Sequence, residues 1–298
     1  MRNSDLARLV LLSALWGGSF IFIRIAAPAL GPILLVTIRV LVAGAVLALY
    51  AIVTKRSLEL RARWRQYTII GALNSAIPFV LISTAELHLT ASLAAILNAT
   101  SPLFGALIAC LWIKDPLTPR KIGGLLLGLL GVAVLAGWSP LALSGTIALS
   151  AGASLLGATF YGLASVYTKA KVRGATPLGM TAGSMLGAGL LLAPIAPFTL
   201  PISPPSNIAL LSVLALALLC TALAHLIYFK LIVDVGPANA LTVTFLVPIF
   251  GTLWGALFLS ERITPGALLG CGVILLGTAL VTGVRIGFMA RSTARLWR

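Results

Sequence analysis

Acidic side chains are scarce in this chain: six Asp and Glu stand against 21 Lys and Arg in 298 residues. They are Asp5, Glu59, Glu86, Asp115, Asp234 and Glu261, and none falls inside a long apolar run. That placement excludes the paired carboxylates an intramembrane hydrolase needs for acid-base work at depth. Histidine is scarcer still, with His88 and His225 alone and no H-E-x-x-H pattern, which excludes a zinc-protease centre. The three cysteines, Cys110, Cys220 and Cys271, all sit in apolar runs, so they read as small buried side chains rather than a disulfide framework or thiolate metal site. No P-loop glycine pattern is present, so no ATP site is expected. Neither a metal nor a cofactor is expected, and an enzyme is the weaker class.

Apolar residues fill the space left by charge. They make up 60% of the chain against 9% charged, with a mean hydropathy of +1.10. A water-soluble globule has too little interior for that much apolar side chain. At about 20 residues per membrane crossing, ten spans can be marked: 7–25, 33–53, 67–85, 91–112, 120–137, 146–167, 177–197, 208–229, 238–259 and 266–284. Short loops join them and leave no room for a soluble domain. The expected fold class is an all-α membrane protein of ten transmembrane helices, with the lipid bilayer as its main partner.

The net charge of +15 invites a nucleic-acid reading until the charges are placed on loops. With the N-terminus in the cytoplasm, every Lys and Arg except Arg24, Arg39 and Arg262 falls on the cytoplasmic side. The positive-inside rule thus accounts for the charge without nucleic acid and places both termini in the cytoplasm. The first span, basic and then apolar, has the outline of a signal peptide, but nine further spans follow it. Arg24 and Arg39 lie in or near spans one and two. An arginine in hydrocarbon is costly, so each either snorkels to the outer headgroups or faces a wet cavity and meets an anion.

One stretch is written twice. Asn98 to Leu135 recurs 146 positions later as Thr244 to Val281, with Pro102 on Pro248, Phe104 on Phe250, Gly105 on Gly251, Thr118-Pro119 on Thr264-Pro265, Gly124 on Gly270 and Gly131 on Gly277. Five spans separate the copies, and five is odd, so they point in opposite directions across the bilayer. Loop charge agrees: Lys114, Arg120 and Lys121 flank the first turn, Arg262 alone the second. Inverted repeats are a transporter architecture with a site near the midplane. The repeat extends more faintly to spans one and six, with Trp16 on Phe160 and Gly18 on Gly162, and then, one inserted residue later, Pro32 on Pro177 and Gly44 on Gly189. Two five-helix halves are expected, 1–142 and 143–298, the second ending in a basic cytoplasmic tail.

The candidate site follows from the proline positions. Pro78, Pro102 and Pro248 lack an N–H, so the carbonyls of Asn74, Asn98 and Thr244 lose their intrahelical bonds. Free carbonyls at membrane depth persist only where protein, water or a ligand satisfies them. Two readings stand: each break is patched locally, or the breaks surround a hydrated central site. Gly124 and Gly128, Gly179, Gly183 and Gly187, and Gly266 and Gly270 read as close helix packing. The candidate lining is Trp16, Asn74, Ser75, Pro78, Asn98, Pro102, Tyr161, His225, Tyr228, Thr244 and Pro248. His225 reads first as a packing residue and second as a proton carrier. Aromatic walls with a few amides and hydroxyls suit a small amphipathic zwitterion, so export of amino acids, aromatic ones among them, is the leading substrate reading. Drug-like cations and phosphorylated metabolites are the alternatives, with Arg24 and Arg39 in the cavity favouring the anion. A membrane scaffold without transport is the rival from another class.

The run LWGGSFIFIRIAAPALGPILLVTIR, the proline-centred spans four and nine, and SERITPGALLGCGVILLG near the end resemble the drug/metabolite transporter superfamily, EamA type, over residues 7 to 284. The resemblance implies two inverted five-helix repeats and a cavity lined by spans one, three, four, six, eight and nine. It further implies a bacterial inner-membrane exporter of amino acids or other metabolites. Trp16, Arg24, Arg39, Pro102, Pro248 and Glu261 match the family pattern, whereas Lys114-Asp115-Pro116 departs from the Gly/Ser-Glu-Arg that Ser260-Glu261-Arg262 keeps. A monomer is expected, with a dimer as the alternative. Facilitated export and proton antiport both remain open.

Overall fold

A computed structural model describes residues 3–137, 144–172, 174–235, 240 and 242–283. The boundary at 142/143, the start of span nine, Arg2, Arg173 and the basic tail from 284 lie outside the described residues.

The described residues form ten helical spans: α1 (Asn3–Leu30), α2 (Pro32–Val53), α3 (Leu60–Ala85), α4 (Ala91–Ile113), α5 (Pro119–Gly137), α6 (Gly145–Lys171), α7 (Pro177–Leu192), α8 (Asn207–Val235), α9 (Val243–Leu259) and α10 (Pro265–Thr282). Seven are long and apolar enough to cross a membrane, and α7 and α9 are shorter apolar helices. Their outer faces are apolar as well. Ile52, Leu111, Leu149 and Phe258 are 73%, 76%, 77% and 69% exposed, a surface that water does not tolerate over this extent and lipid does.

Local chemistry sets the helix ends. Pro32, Pro119, Pro177 and Pro265 stand at the first helical position, where a missing N–H costs nothing. Thr90, Ser144, Thr176, Ser206 and Thr264 cap α4, α6, α7, α8 and α10 with their hydroxyls. The two Thr-Pro turns have one geometry. α4 ends on Lys114 and α9 on Ser260, both left-handed at φ 54, with Asp115 N–H on Ala109 O and Glu261 N–H on Gly255 O. The unusual Lys114-Asp115-Pro116 sequence therefore keeps the backbone of its partner turn.

Glycine contacts establish the inversion. A Cβ on Gly124 of α5 would lie 2.6 Å from Gly277 O of α10, and one on Gly270 of α10 would lie 3.0 Å from Gly131 O of α5. Low numbers on one helix face high numbers on the other, so these repeat-related helices are antiparallel. α2 and α7 behave alike: Gly44 meets Leu186, and Gly189 meets Leu41. α1 packs on α9 as α6 packs on α4, with Gly17 against Phe250 and Gly251, and Gly162 against Phe104 and Gly105. The fold is two inverted five-helix repeats.

The contacts shift one part of the sequence alignment. Gly17, not Gly18, is the partner of Gly162, so the spacing of 145 seen at Gly44 and Gly189 already holds in α1 and α6. Trp16 then corresponds to Tyr161 rather than to Phe160. Close backbone approach fixed the glycine, and one shifted residue was invisible in a stretch with few identities.

Candidate functional site

Two π-helical segments interrupt the helices of the bundle. One spans Ala72–Ala76 in α3 and the other Leu218–Leu223 in α8, starting 146 positions apart. A π turn inserts one residue into the helix and re-aims the side chains around it, and such turns recur at functional sites. In α3 the wide turn precedes Pro78, and Ile77 N–H reaches back to Ala72 O across it. In α8, Ala224 stands where α3 has proline, yet the turn persists. Thr221 Oγ1 donates to Leu216 O at 2.8 Å, five residues earlier.

Arg39 of α2 reaches between these two segments. It is 5% exposed; its Nε donates to Thr221 Oγ1 at 3.0 Å, and its guanidinium lies 3.7 Å from the ring centre of Phe79 in α3. A guanidinium over an aromatic face is attracted by the ring quadrupole, more strongly where water is excluded. Among the described residues its one hydrogen bond is through Nε, so both terminal nitrogens are left to a ligand or water. Of the two readings of Arg39, the interior one describes this side chain. Arg24 instead binds the end of α3, donating to the carbonyls of Glu86 and Leu87.

Aromatic rings continue from Arg39 on both sides. Tyr161 of α6 meets Phe79 edge-on, with centroids 6.3 Å apart. Trp16 of α1 meets His225 at 5.7 Å and Tyr228 at 5.3 Å, both on α8. Phe229 extends the row, 6.3 Å from His225. His225 Nδ1 lies 2.6 Å from Thr221 O, a contact that requires the Nδ1–H tautomer and leaves Nε2 as an acceptor. The two halves thus make equivalent ring contacts: Trp16 meets His225 as Tyr161 meets Phe79, Trp16 corresponding to Tyr161 by the corrected spacing and Phe79 to His225 by the spacing of 146.

The proline breaks are closed locally in α4. That helix interrupts after Asn98 and resumes at Ser101. Three hydroxyls take the carbonyls at the gap: Thr100 Oγ1 donates to Leu97 O at 2.6 Å, Ser101 Oγ to Asn98 O at 2.6 Å, and Thr278 Oγ1 of α10 to Ala99 O at 3.1 Å. The Asn98 carbonyl is therefore occupied by a neighbouring serine, and what Asn98 presents is its amide. Pro248 is buried inside the continuous helix α9, with Thr244 in the first turn of that helix. Asn74 and Ser75 lie in the α3 π segment, and the Ser75 hydroxyl is buried without a hydrogen-bond partner.

Trp16, Tyr161, His225 and Tyr228, read from the sequence, come together with Arg39, whose place the sequence left open. Phe79, Thr221 and Phe229 were not anticipated. The repeat held a signal for Phe79, because it falls on His225; nothing local marked Thr221.

The ends of the bundle are tied by charge. Glu261 accepts from Ala91 N–H at 2.7 Å, from Ser92 N–H at 3.0 Å and from the Ser92 hydroxyl, which joins the α9–α10 turn to the start of α4. At the opposite end Arg8 bridges to Asp234 at 2.7 Å and Lys121 to Asp115 at 2.8 Å. Lys121 holds the Asp115 carboxyl below its usual range.

Known proteins match along nearly the whole chain. An uncharacterized transporter of Archaeoglobus fulgidus is 22% identical over 281 residues, covering 93% of this chain and 98% of its own. The uncharacterized inner membrane transporter YedA of Escherichia coli (strain K12) is 29% identical, covering 91% and 88%. Protein PecM of Dickeya dadantii is 27% identical, covering 93% and 91%. A solved structure superposes with a TM-score of 0.66 at 21% identity, over 95% of this chain and 97% of that one, and shows the same fold. The EamA-like transporter family matches twice, at residues 6–137 and 148–283, once for each inverted half, and the chain belongs to that family.

Proposed function

We propose that this membrane transporter exports small metabolites, amino acids first among them, by alternating access around the Arg39 cluster. The observation that carries the substrate class is a buried guanidinium with free terminal nitrogens among aromatic rings. A carboxylate pairs with those nitrogens, bidentately where the fork is open. The rest of an amino acid lies against Trp16, Tyr161 and Tyr228, with Asn74, Ser75, Asn98 and Thr244 as further polar contacts and Pro78, Pro102 and Pro248 shaping the helices that carry them. Rocking one half against the other exposes the cluster to each side in turn. The protein sits in the inner membrane, termini in the cytoplasm, as a monomer.

The same guanidinium supports a second reading, a phosphorylated metabolite. Counterflow in liposomes decides between them: purified protein, loaded with unlabelled compound, is given labelled amino acids or labelled sugar phosphates outside. Exchange of amino acids, with loss in Arg39→Met, supports the first reading; exchange of phosphates alone moves the substrate to the second. No exchange across a broad metabolite panel sinks transport and favours a scaffold.

A further inference from the structure

The inverted halves do not carry the same groups around the centre. By the spacing of 145 that relates α2 to α7, Arg39 corresponds to Ser184, whose hydroxyl turns back to Thr181 O at 3.0 Å. By the spacing of 146 that relates α3 to α8, Thr221 corresponds to Ser75 and His225 to Phe79. A guanidinium thus has a short hydroxyl as its mate, and a ring with two nitrogens has a bare phenyl ring. The backbone repeats, but the polar groups it carries do not, and an unlike pair of groups binds a dipolar ligand in one orientation.

Thr221 sets that pair side by side. Its hydroxyl accepts from Arg39 Nε at 3.0 Å, and its carbonyl accepts from His225 Nδ1 at 2.6 Å. With Nδ1–H so engaged, Nε2 is the remaining acceptor of the ring. The buried polar side-chain atoms left without a partner among the described residues belong to Tyr67, Ser75, Ser83, Glu86 and Ser154. Neither His225 Nε2 nor the terminal nitrogens of Arg39 are among them, yet these atoms make no hydrogen bond either, so they open onto accessible space. Glu86 faces Arg39, but its oxygens are unbonded, and the fork is not taken. The Trp16 ring stands beside the histidine, 5.7 Å from it and 5.3 Å from Tyr228.

We propose that His225 is the specificity-determining residue that recognises the amino group of the substrate. The Arg39 fork takes the carboxylate. The ammonium on the adjacent carbon donates to Nε2, and the Trp16 ring adds the attraction of an aromatic face for a cation. A 2-keto acid turns an oxygen acceptor toward Nε2 and is repelled; a 2-hydroxy acid donates to it without charge and falls between. The subsite rests on the amino-acid reading of the Arg39 cluster and adds the group that reads the nitrogen.

Competition in counterflow tests it, with two sets of analogues that each share one side chain: phenylalanine, phenyllactate and phenylpyruvate, and alanine, lactate and pyruvate. Each set competes against its own labelled amino acid in liposomes. Wild type should prefer amino acid to hydroxy acid to keto acid. His225→Phe copies the residue that Phe79 supplies in the other half, keeping a ring and removing the acceptor. It should weaken the amino acid about tenfold or more, the value of one hydrogen bond from a charged donor, and the keto acid far less. His225→Gln, which keeps an acceptor oxygen, should recover part of the preference, a rescue that a packing role would not give. Equal loss for all three analogues in His225→Phe, total loss included, makes the residue structural and overturns the proposal. Wild-type exchange of amino, hydroxy and keto acids alike overturns the subsite and leaves the carboxylate on Arg39. A wild type that exchanges sugar phosphates and neither amino acid overturns the amino-acid reading and the subsite together.

Discussion

Gly124 and Gly277 hold α5 and α10 in backbone contact: a methyl group on Gly124 would come within 2.6 Å of the Gly277 carbonyl oxygen. Gly123, its neighbour in sequence, has open space where a Cβ would stand. In lipid, such packing supplies what the hydrophobic effect supplies in water. Gly124→Ala should therefore destabilise the protein by about 1–3 kcal/mol, the usual cost of overpacking, while Gly123→Ala should leave it unchanged or slightly stabilised. Thermal unfolding of the two variants in detergent checks the pair.

The inverted architecture was legible because it rests on those glycines and on Pro102, Pro248 and the Thr-Pro turns, which sequence displays directly. The site was legible only in part. Trp16, Tyr161, His225 and Tyr228 stood out as aromatics in spans, but Arg39 had two readings that hydropathy cannot separate. Its partner Thr221 depends on a π turn at Leu218–Leu223, which has no residue signature because α8 lacks the proline that α3 carries at Pro78. Glu86 follows the end of a span, a position that sequence does not mark as buried, and its complete burial is a tertiary fact.

Thr221 accepts from Arg39 and donates to Leu216 O in one hydroxyl. Thr221→Val keeps the shape and removes both bonds. Losing an acceptor for a charged donor costs about 1.5–3 kcal/mol, so the apparent KM for an exchanged amino acid should rise about ten- to a hundredfold. Arg39→Lys should do at least as much, since an ammonium has neither the Nε geometry nor the planar fork. Counterflow kinetics over a concentration series reads both.

Glu261 and Asp115 occupy equivalent turns but hold different things. Glu261 accepts backbone N–H groups at the start of α4, where the helix dipole adds to the attraction. Asp115 pairs with Lys121 near solvent. Glu261→Ala should cost about 1.5–3 kcal/mol, the charge-assisted value, and Asp115→Ala clearly less, because water screens an exposed pair. Chemical denaturation in mixed micelles compares them; equal losses would show that the Glu261 tie contributes nothing beyond surface charge.

Pro102 and Ser101 act on one carbonyl from opposite directions. Proline leaves Asn98 O without its helical donor, and the Ser101 hydroxyl supplies the missing bond at 2.6 Å. Ser101→Ala alone should strip that carbonyl and cost about 1–3 kcal/mol, the penalty of an unsatisfied buried acceptor. In Pro102→Ala the residue regains an N–H aimed four positions back at Asn98 O, so the serine becomes redundant. The double variant should then be more stable than the sum of the single changes predicts, with a coupling of about 1 kcal/mol. Additive losses would show that the hydroxyl does not stand in for the missing N–H. A coupled result would make the α4 break a patched kink, and would leave the Asn98 amide, not its carbonyl, as the group that can face a substrate.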